Sequence, residues 1–277
     1  MKRIIIPDNL KGKQLFDFLI EHKALLIAQK KGILKCCEPV SYAPALFTVK
    51  EDKTIKAATA NDLPDDIGSL RVKVVCNAAL WCDSAMDVLF PDCWNKSMKE
   101  RKGMIPHIFD HNHSIEAIVG DVQALYAEEV LLKDLGLKEA GSTQCLIMES
   151  DVQEAYNEKV FLMYKKGHVK QHSIALMYVK IELCINDPDY GVEHDAWKKY
   201  SGKVINQDLI EAKGYFWAVT EIKLYENSAV LFGANELTPT LDVSESTKNQ
   251  PLKSTEEEPR KKGTSFDLKS IMQTIKN

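Results

Sequence analysis

Polar and apolar side chains alternate in the segment of the chain that begins at Ser69. The apolar positions are Leu70, Val72, Val74 and Cys76. The positions between them include the charged residues Arg71 and Lys73. Successive side chains of a β-strand point to opposite faces, so this pattern predicts a strand with one buried face and one solvent-facing side.

Further segments that are rich in apolar and β-branched residues also predict strands. They are residues 117–127, 128–135, 143–152, 172–185 and 215–232. Helices are predicted near residues 157–166 and 193–200, and a short one with Pro91 in its first turn. Because the strands do not alternate regularly with helices, a doubly wound parallel sheet is disfavoured. The pattern favours an α+β fold with a barrel or a strongly curled sheet at its centre.

The N-terminal region shows helical rather than strand periodicity between Lys11 and Lys30. The apolar positions of this stripe are Leu15, Phe18, Leu19, Leu25 and Leu26. Gly32 stands where a C-terminal cap belongs. We predict one amphipathic helix that docks on its own domain. A polar segment at residues 59–69 then marks a boundary, which makes residues 1–66 an N-terminal extension.

The C-terminal region is polar and highly charged after Asp242, and it has too few apolar residues to bury a core. Thr264 and Asp267 near its end have capping-box spacing. An apolar stripe accompanies them, formed by Phe266, Leu268, Ile271, Met272 and Ile275. We predict a flexible tail over residues 242–277 that ends in a docking helix; the alternative is a helix that folds back onto the core. Residues 67–241 are then the main domain.

Composition narrows the class of protein. The chain has 277 residues, of which 45% are hydrophobic, as in ordinary globular proteins. Its formal net charge of -4 provides no basic field for nucleic acid. No apolar run approaches the roughly 18 residues of a membrane span, and the N-terminus lacks a signal-peptide pattern. Seven cysteines without a C-x-x-C pair predict free, buried thiols in a reducing compartment.

Three histidines within seven residues form the first candidate for chemistry: His107, His111 and His113, beside Asp110. An imidazole can act as a general base near neutral pH, and clustered imidazoles can also bind zinc. The H-E-x-x-H pattern is absent, and no cysteine lies close enough to complete an evident zinc site. A base, a zinc site and loop histidines without a role all remain open from these residues alone.

Ser173 and Glu226 are the other candidates. Ser173 stands at the start of a predicted strand, where a hydroxyl can be held rigidly and still reach a cleft. Its neighbour His172 should point to the opposite face of that strand, which argues against His172 as its base. Glu226 shares a strand face with Ser228 and could orient a histidine. A solvated serine and an outward-facing carboxylate are the alternatives.

Three of these segments together resemble the prohead (procapsid maturation) serine proteases of tailed bacteriophages. They are PHIFDHNHSIEAIVGDV (106–122), KKGHVKQHSIALMYV (165–179) and KLYENSAVLFGANELTP (223–239). The resemblance spans about residues 70–239. This chain departs from the family pattern at Asn112, Ala175 and Gly233, where the family often has aspartate, glycine and proline.

The resemblance implies a fold and a set of site residues. It selects His111 as the base, Ser173 as the nucleophile and Glu226 as the third catalytic member. It implies a mostly antiparallel closed β-barrel with flanking helices, similar to herpesvirus assembly proteases. No cofactor and no metal are expected.

The resemblance also implies a function. We expect a maturation endopeptidase that cleaves scaffold protein, the major capsid protein and itself, in the host bacterial cytoplasm inside the assembling procapsid. The tail could contact the portal or the capsid shell, a homo-oligomer is open, and neither nucleic acid nor a membrane is expected as a partner. The alternatives are a non-catalytic scaffold or capsid-assembly interaction protein, and a zinc hydrolase that uses His107, His111 and His113.

Overall fold

The computed structural model describes residues 4–32, 35 and 68–246 of the chain. The strands in these residues are β1 (Ser69–Ala78), β2 (Asp87–Leu89), β3 (His107–Phe109), β4 (Ile118–Leu131), β5 (Ser142–Gln153), β6 (Gln171–Ile185), β7 (Tyr215–Val230) and β8 (Thr240–Glu245). The helices are α1 (Gly12–Glu21), α2 (Lys23–Gly32), α3 (Asn95–Glu100), α4 (Glu158–Lys165), α5 (Gly191–Tyr200) and α6 (Gln207–Lys213). The predicted C-terminal docking helix lies outside the described residues.

The strands form one mixed sheet with helices beside it. The long strand β7 pairs antiparallel with β6 along one edge, and parallel with the short strands β2 and β3 along the other. From β3 the sheet continues through β4, β5 and β1 to β8 in antiparallel pairs. The α+β class therefore has a parallel component at its centre.

The predicted closed barrel is wrong, because the sheet stays open. Closure needs a continuous ladder between the two terminal strands, and none joins β6 to β8 in the part of the chain described. The outer edge of β6 instead bonds single residues. Lys35 exchanges two backbone hydrogen bonds with Leu176, of 2.8 and 3.0 Å, and the amide of His172 donates to the carbonyl of Thr238 at 3.1 Å.

The alternating pattern predicted the burial of the first half of β1 correctly. Leu70, Val72 and Val74 are fully buried in the main core, while Arg71 and Lys73 are half-buried. From Val75 onward every residue of β1 is buried, because a second apolar cluster covers the other face. That cluster contains Val75, Ala78, Val130, Leu132, Leu135, Cys145, Ile147 and Leu237.

Two helices, α1 and α2, replace the single predicted N-terminal helix, because the chain breaks at His22. Leu19 is fully buried in the main core, which stabilises the fold by about 2 kcal/mol. The ring of Phe16 lies against Gly214, where an added Cβ would come within 2.6 Å of it and where φ is +71°. Glycine at this position lets α1 dock over the start of β7.

A buried ionic cluster attaches α2 and the following segment to the sheet. Lys30 and Lys35 each place their ammonium 2.7 Å from the carboxylate of Asp87, which also accepts a hydrogen bond from Tyr178. Burial alone would raise the pKa of Asp87, but the two ammonium groups outweigh it and lower this pKa to about 2. Residues 4–32 therefore pack within the same compact unit as the sheet.

The cysteines of the described region are free and buried: Cys76, Cys82, Cys93, Cys145 and Cys184. Burial raises the pKa of Cys145 to about 12, so its thiol stays protonated and unreactive. Cys36 and Cys37 lie outside the described residues. Among the helices that the structure describes, none has the length and apolar character needed to cross a membrane.

Candidate active site

The centre of the candidate active site is the end of β7. Glu226 and Ser228 are two residues apart on this strand, so their side chains share one face of the sheet. Ser228 stands opposite Ile108 of β3 on one edge and opposite Ser173 of β6 on the other. Directly opposite residues of an antiparallel pair have their side chains on the same face, about 5 Å apart. Ser173, Ser228 and Glu226 therefore lie on one face.

His111 follows β3 in a tight turn. Asp110 and His111 both have φ of +50°, and the amide of Asn112 donates to the carbonyl of Phe109 at 3.0 Å, which makes a type I′ turn. The amide of Asp110 donates to the carbonyl of Ala229 at 2.9 Å and attaches the turn to β7. Left-handed backbone costs a non-glycine residue about 1–2 kcal/mol. Such strain is often stored at functional sites.

The imidazole of His111, the carboxylate of Glu226 and the hydroxyl of Ser228 form a closed set of hydrogen bonds. Nδ1 of His111 lies 2.5 Å from Oε1 of Glu226. The hydroxyl of Ser228 donates to Oε2 of Glu226 and accepts from the backbone amide of His111, both at 3.0 Å. A carboxylate only accepts, so Nδ1 carries the proton and Nε2 is the basic nitrogen.

The three predicted site residues come from β7 and from the chain on either side of it. His111 comes from the turn that follows β3 on one side of β7, Ser173 from β6 on the other side, and Glu226 from β7 itself. The side chains of His111 and Glu226 are 7% and 3% exposed, and Ser173 is 7% exposed as a residue. The site is therefore shielded from bulk water, and electrostatic interactions within it are strengthened.

An open cleft of about 310 Å³ lies beside Glu226. Its walls include the apolar side chains Ile108, Ile115, Ile118 and Tyr225. His113 stands at its rim, with a side chain 48% exposed and its Nε2 4.0 Å from Oε1 of Glu226. A cleft of this size beside a histidine–carboxylate pair can hold part of an extended substrate.

The three clustered histidines do not converge. His107 lies in β3 opposite Asn227, on the face away from Ser228, and its ring bonds Tyr164 inside the core. His111 bonds Glu226 on the other face. No group of three histidine, cysteine, aspartate or glutamate residues suited to a metal ion occurs within the described ranges. The three imidazoles therefore do not face a single position at which they could bind one zinc ion.

A buried polar chain lies behind the candidate site. His107, Tyr164, His172 and the carbonyl of Thr238 are linked in sequence, with Nε2–Oη distances of 2.9 and 2.8 Å and an Nδ1–O distance of 3.2 Å. The Thr238 carbonyl only accepts, so Nδ1 of His172 donates to it, Tyr164 donates to Nε2 of His172, and His107 donates to Tyr164. We name this chain the histidine–tyrosine relay.

Burial keeps the two histidines of the relay in the neutral form. Burial lowers the pKa of His107 to about 3, and the neighbouring His172 contributes to this shift. Burial also lowers the pKa of His172 to about 4, although its bond to Thr238 acts in the opposite direction. The ring of His172 bonds Tyr164 on the core face, away from Ser173, as strand alternation predicted.

Acid should destabilise the fold through these two histidines. In the unfolded chain both would bind protons near pH 6.5, whereas in the fold they stay neutral down to about pH 4 and 3. The unfolded state therefore binds more protons in this window. We expect the free energy of unfolding to fall by about 1.4 kcal/mol per pH unit for each histidine as the pH drops below about 6.

Urea unfolding at a series of pH values between neutral and mildly acidic measures this slope. His172→Gln is the matched variant, because glutamine can still accept from Tyr164 and does not titrate. The variant should lose about half of the slope that the two histidines contribute. An unchanged slope in the variant would show that His172 titrates alike in both states.

The relay is the part of the site region that sequence reasoning missed. Tyr164 lies on α4, and nothing local in its helix indicates that it bonds two histidines from different strands. The available signal was the pair of histidines at inward-facing strand positions, His107 and His172, which need polar partners once they are buried.

Comparisons of this chain with protein-family models, curated proteins and solved structures find no match.

Proposed function

We propose that this chain is a serine endopeptidase with Ser173 as nucleophile, His111 as general base and Glu226 as the carboxylate that orients His111. The observation that carries the proposal is that Ser173 lies on the sheet face of Ser228 and Glu226, and that His111 is hydrogen-bonded to both of these β7 residues. This is the division of roles that activates a serine hydroxyl near neutral pH.

The mechanism follows from these positions. Nε2 of His111 takes the proton from Oγ of Ser173 as Oγ attacks the carbonyl carbon of a peptide bond. Glu226 stabilises the imidazolium that forms, because its Oε1 accepts the Nδ1 proton at 2.5 Å. The imidazolium then protonates the leaving amine, and an acyl-enzyme remains on Ser173. Water, activated by His111, attacks the ester and frees the serine.

The substrates that we propose rest on the resemblance of three segments to prohead proteases. They are scaffold protein, the major capsid protein and the enzyme itself, cleaved inside the assembling procapsid. The apolar cleft beside Glu226 supports a peptide substrate, because its walls offer contact area for apolar side chains.

Covalent labelling with a serine-directed phosphonate tests the proposal. We expect one phosphonyl group per chain, located at Ser173 by mass spectrometry of the digested protein. The labelling rate should fall as His111 becomes protonated, because the imidazolium cannot take the serine proton. A folded protein that takes up no label would favour a non-catalytic assembly protein. Label at another residue would reject Ser173 as the nucleophile.

A further inference from the structure

The histidine–tyrosine relay joins β6, which carries the candidate nucleophile, to β3, which leads into the turn with the candidate base. His107 lies in β3, four residues before His111, and His172 lies in β6, next to Ser173. These two strands lie on opposite edges of β7. No ladder pairs β3 with β6 in the described part of the sheet. The distance between β3 and β6 therefore depends on β7 and on any side chain that contacts both strands.

Tyr164 is that bridge. Its hydroxyl accepts from Nε2 of His107 at 2.9 Å and donates to Nε2 of His172 at 2.8 Å. Ala229 of β7 stands opposite His172 in the β6–β7 ladder. The ring centroids of the two histidines lie 6.3 Å apart. One hydroxyl thus ties the two flanking strands together across the strand between them.

All members of the relay are buried, so their hydrogen bonds resist competition from water. His107 and His172 are fully buried and Tyr164 is 1% exposed. A buried polar group left without a partner is costly, which gives each bond of the relay a strong geometric preference. The carbonyl of Thr238 fixes the far end of the relay, and so it sets which nitrogen of His172 faces Tyr164.

We propose that Tyr164 is a positioning residue for the reaction. It bonds His107 and His172 on the core face, and it thereby sets the distance between His111 and Ser173 on the opposite face. The inference rests on the proposed function, because it assumes that Ser173 and His111 react together. A displacement of about 1 Å between reacting groups can lower a rate by about a hundredfold.

Tyr164→Phe is the direct test, because it deletes one oxygen and leaves the ring. We expect the rate constant for phosphonate labelling of Ser173, and kcat for peptide hydrolysis, to fall by about ten- to a hundredfold. KM should stay unchanged, since the cleft walls include Ile108, Ile115 and Tyr225 but no residue of the relay. The pH midpoint of the rate should also stay unchanged, because the bond between His111 and Glu226 is intact.

Tyr200→Phe is the matched control. It removes a hydroxyl that donates to Glu182 at 2.5 Å, on a tyrosine that is also buried but lies outside the candidate site. The Tyr200→Phe variant should be labelled by the phosphonate at the wild-type rate.

A second pair of variants covers the case in which Tyr164→Phe does not fold. His107→Gln keeps a donor toward Tyr164 and should retain most of the rate, whereas His107→Met should lose as much as the tyrosine variant.

Hydrogen exchange separates this inference from the proposed function. We expect Tyr164→Phe, but not Tyr200→Phe, to speed exchange of the amides of Asp110 and His172, which bond Ala229 and Thr238. If wild-type protein takes up no phosphonate, the proposed function fails, and the exchange data still decide whether Tyr164 holds β3 and β6. A folded Tyr164→Phe protein with wild-type labelling and wild-type exchange would overturn the inference.

Discussion

Replacing Ser173 by alanine is expected to lower kcat for peptide hydrolysis by about a millionfold, to the residual level left by substrate binding alone. The hydroxyl of Ser228, which stands opposite Ser173 in the β6–β7 ladder, cannot substitute for it. Ser228 is fully buried, and its oxygen already donates to Glu226 and accepts from the amide of His111. An alanine at position 173 therefore leaves the base and its carboxylate in place with no nucleophile to activate.

Ser228→Ala is the matched control for this prediction, since the same atoms are deleted directly across the β6–β7 ladder. It removes one bond to Glu226 and one to His111, so we expect a fall of only about tenfold in kcat. Co-expression of each variant with a candidate scaffold protein, followed by mass spectrometry of the products, compares the two. If folded Ser173→Ala protein still cleaved the scaffold protein at the wild-type rate, the proposed serine mechanism would be wrong.

Strand alternation made much of the candidate site predictable. A period of two decides which side chains share a face, and it requires only that a segment be a strand. It placed Glu226 with Ser228, and it placed His172 away from Ser173, and the structure has both arrangements. The same rule predicted the first half of β1. These are local properties, which the residues themselves encode.

The course of the sheet could not be predicted in the same way. β2 and β3 have three residues each, too few to show a period, yet their parallel pairing with β7 makes the sheet mixed. Closure depends on which groups meet the outer edge of β6, and those are the distant residues Lys35 and Thr238. Such pairings are set by tertiary contacts, which no local pattern carries.

The backbone around His111 shows the same limit at smaller scale. The resemblance selected His111, and the structure places this residue in the turn after β3. Two consecutive left-handed residues without glycine were not predicted, because neither Asp110 nor His111 demands φ of +50°. The turn is held from outside, by the carbonyl of Ala229 and the hydroxyl of Ser228. The break at His22 was likewise not predicted, because the apolar stripe of the N-terminal region gave no sign of an interruption between α1 and α2.

Replacing Glu226 by glutamine should lower kcat by about 10³- to 10⁴-fold while the fold persists. Both carboxylate oxygens of Glu226 accept hydrogen bonds, from Nδ1 of His111 and from the hydroxyl of Ser228. Glutamine has one acceptor and one donor at these two positions. If its amino group faces His111, it stabilises the tautomer that carries the proton on Nε2, and that nitrogen can no longer take the proton of Ser173.

If the glutamine oxygen faces His111 instead, the tautomer is correct but the negative charge that stabilises the imidazolium is lost. Either orientation lowers kcat, and KM should change little, because the apolar walls of the cleft remain. Steady-state kinetics on a peptide substrate, with thermal melting to establish folding, measures both constants. His113→Ala is the control. Nε2 of His113 lies 4.0 Å from Oε1 of Glu226, whereas Nδ1 of His111 lies 2.5 Å from the same oxygen. A large loss in His113→Ala with little loss in Glu226→Gln would assign the base to His113 and reject the orienting role of Glu226.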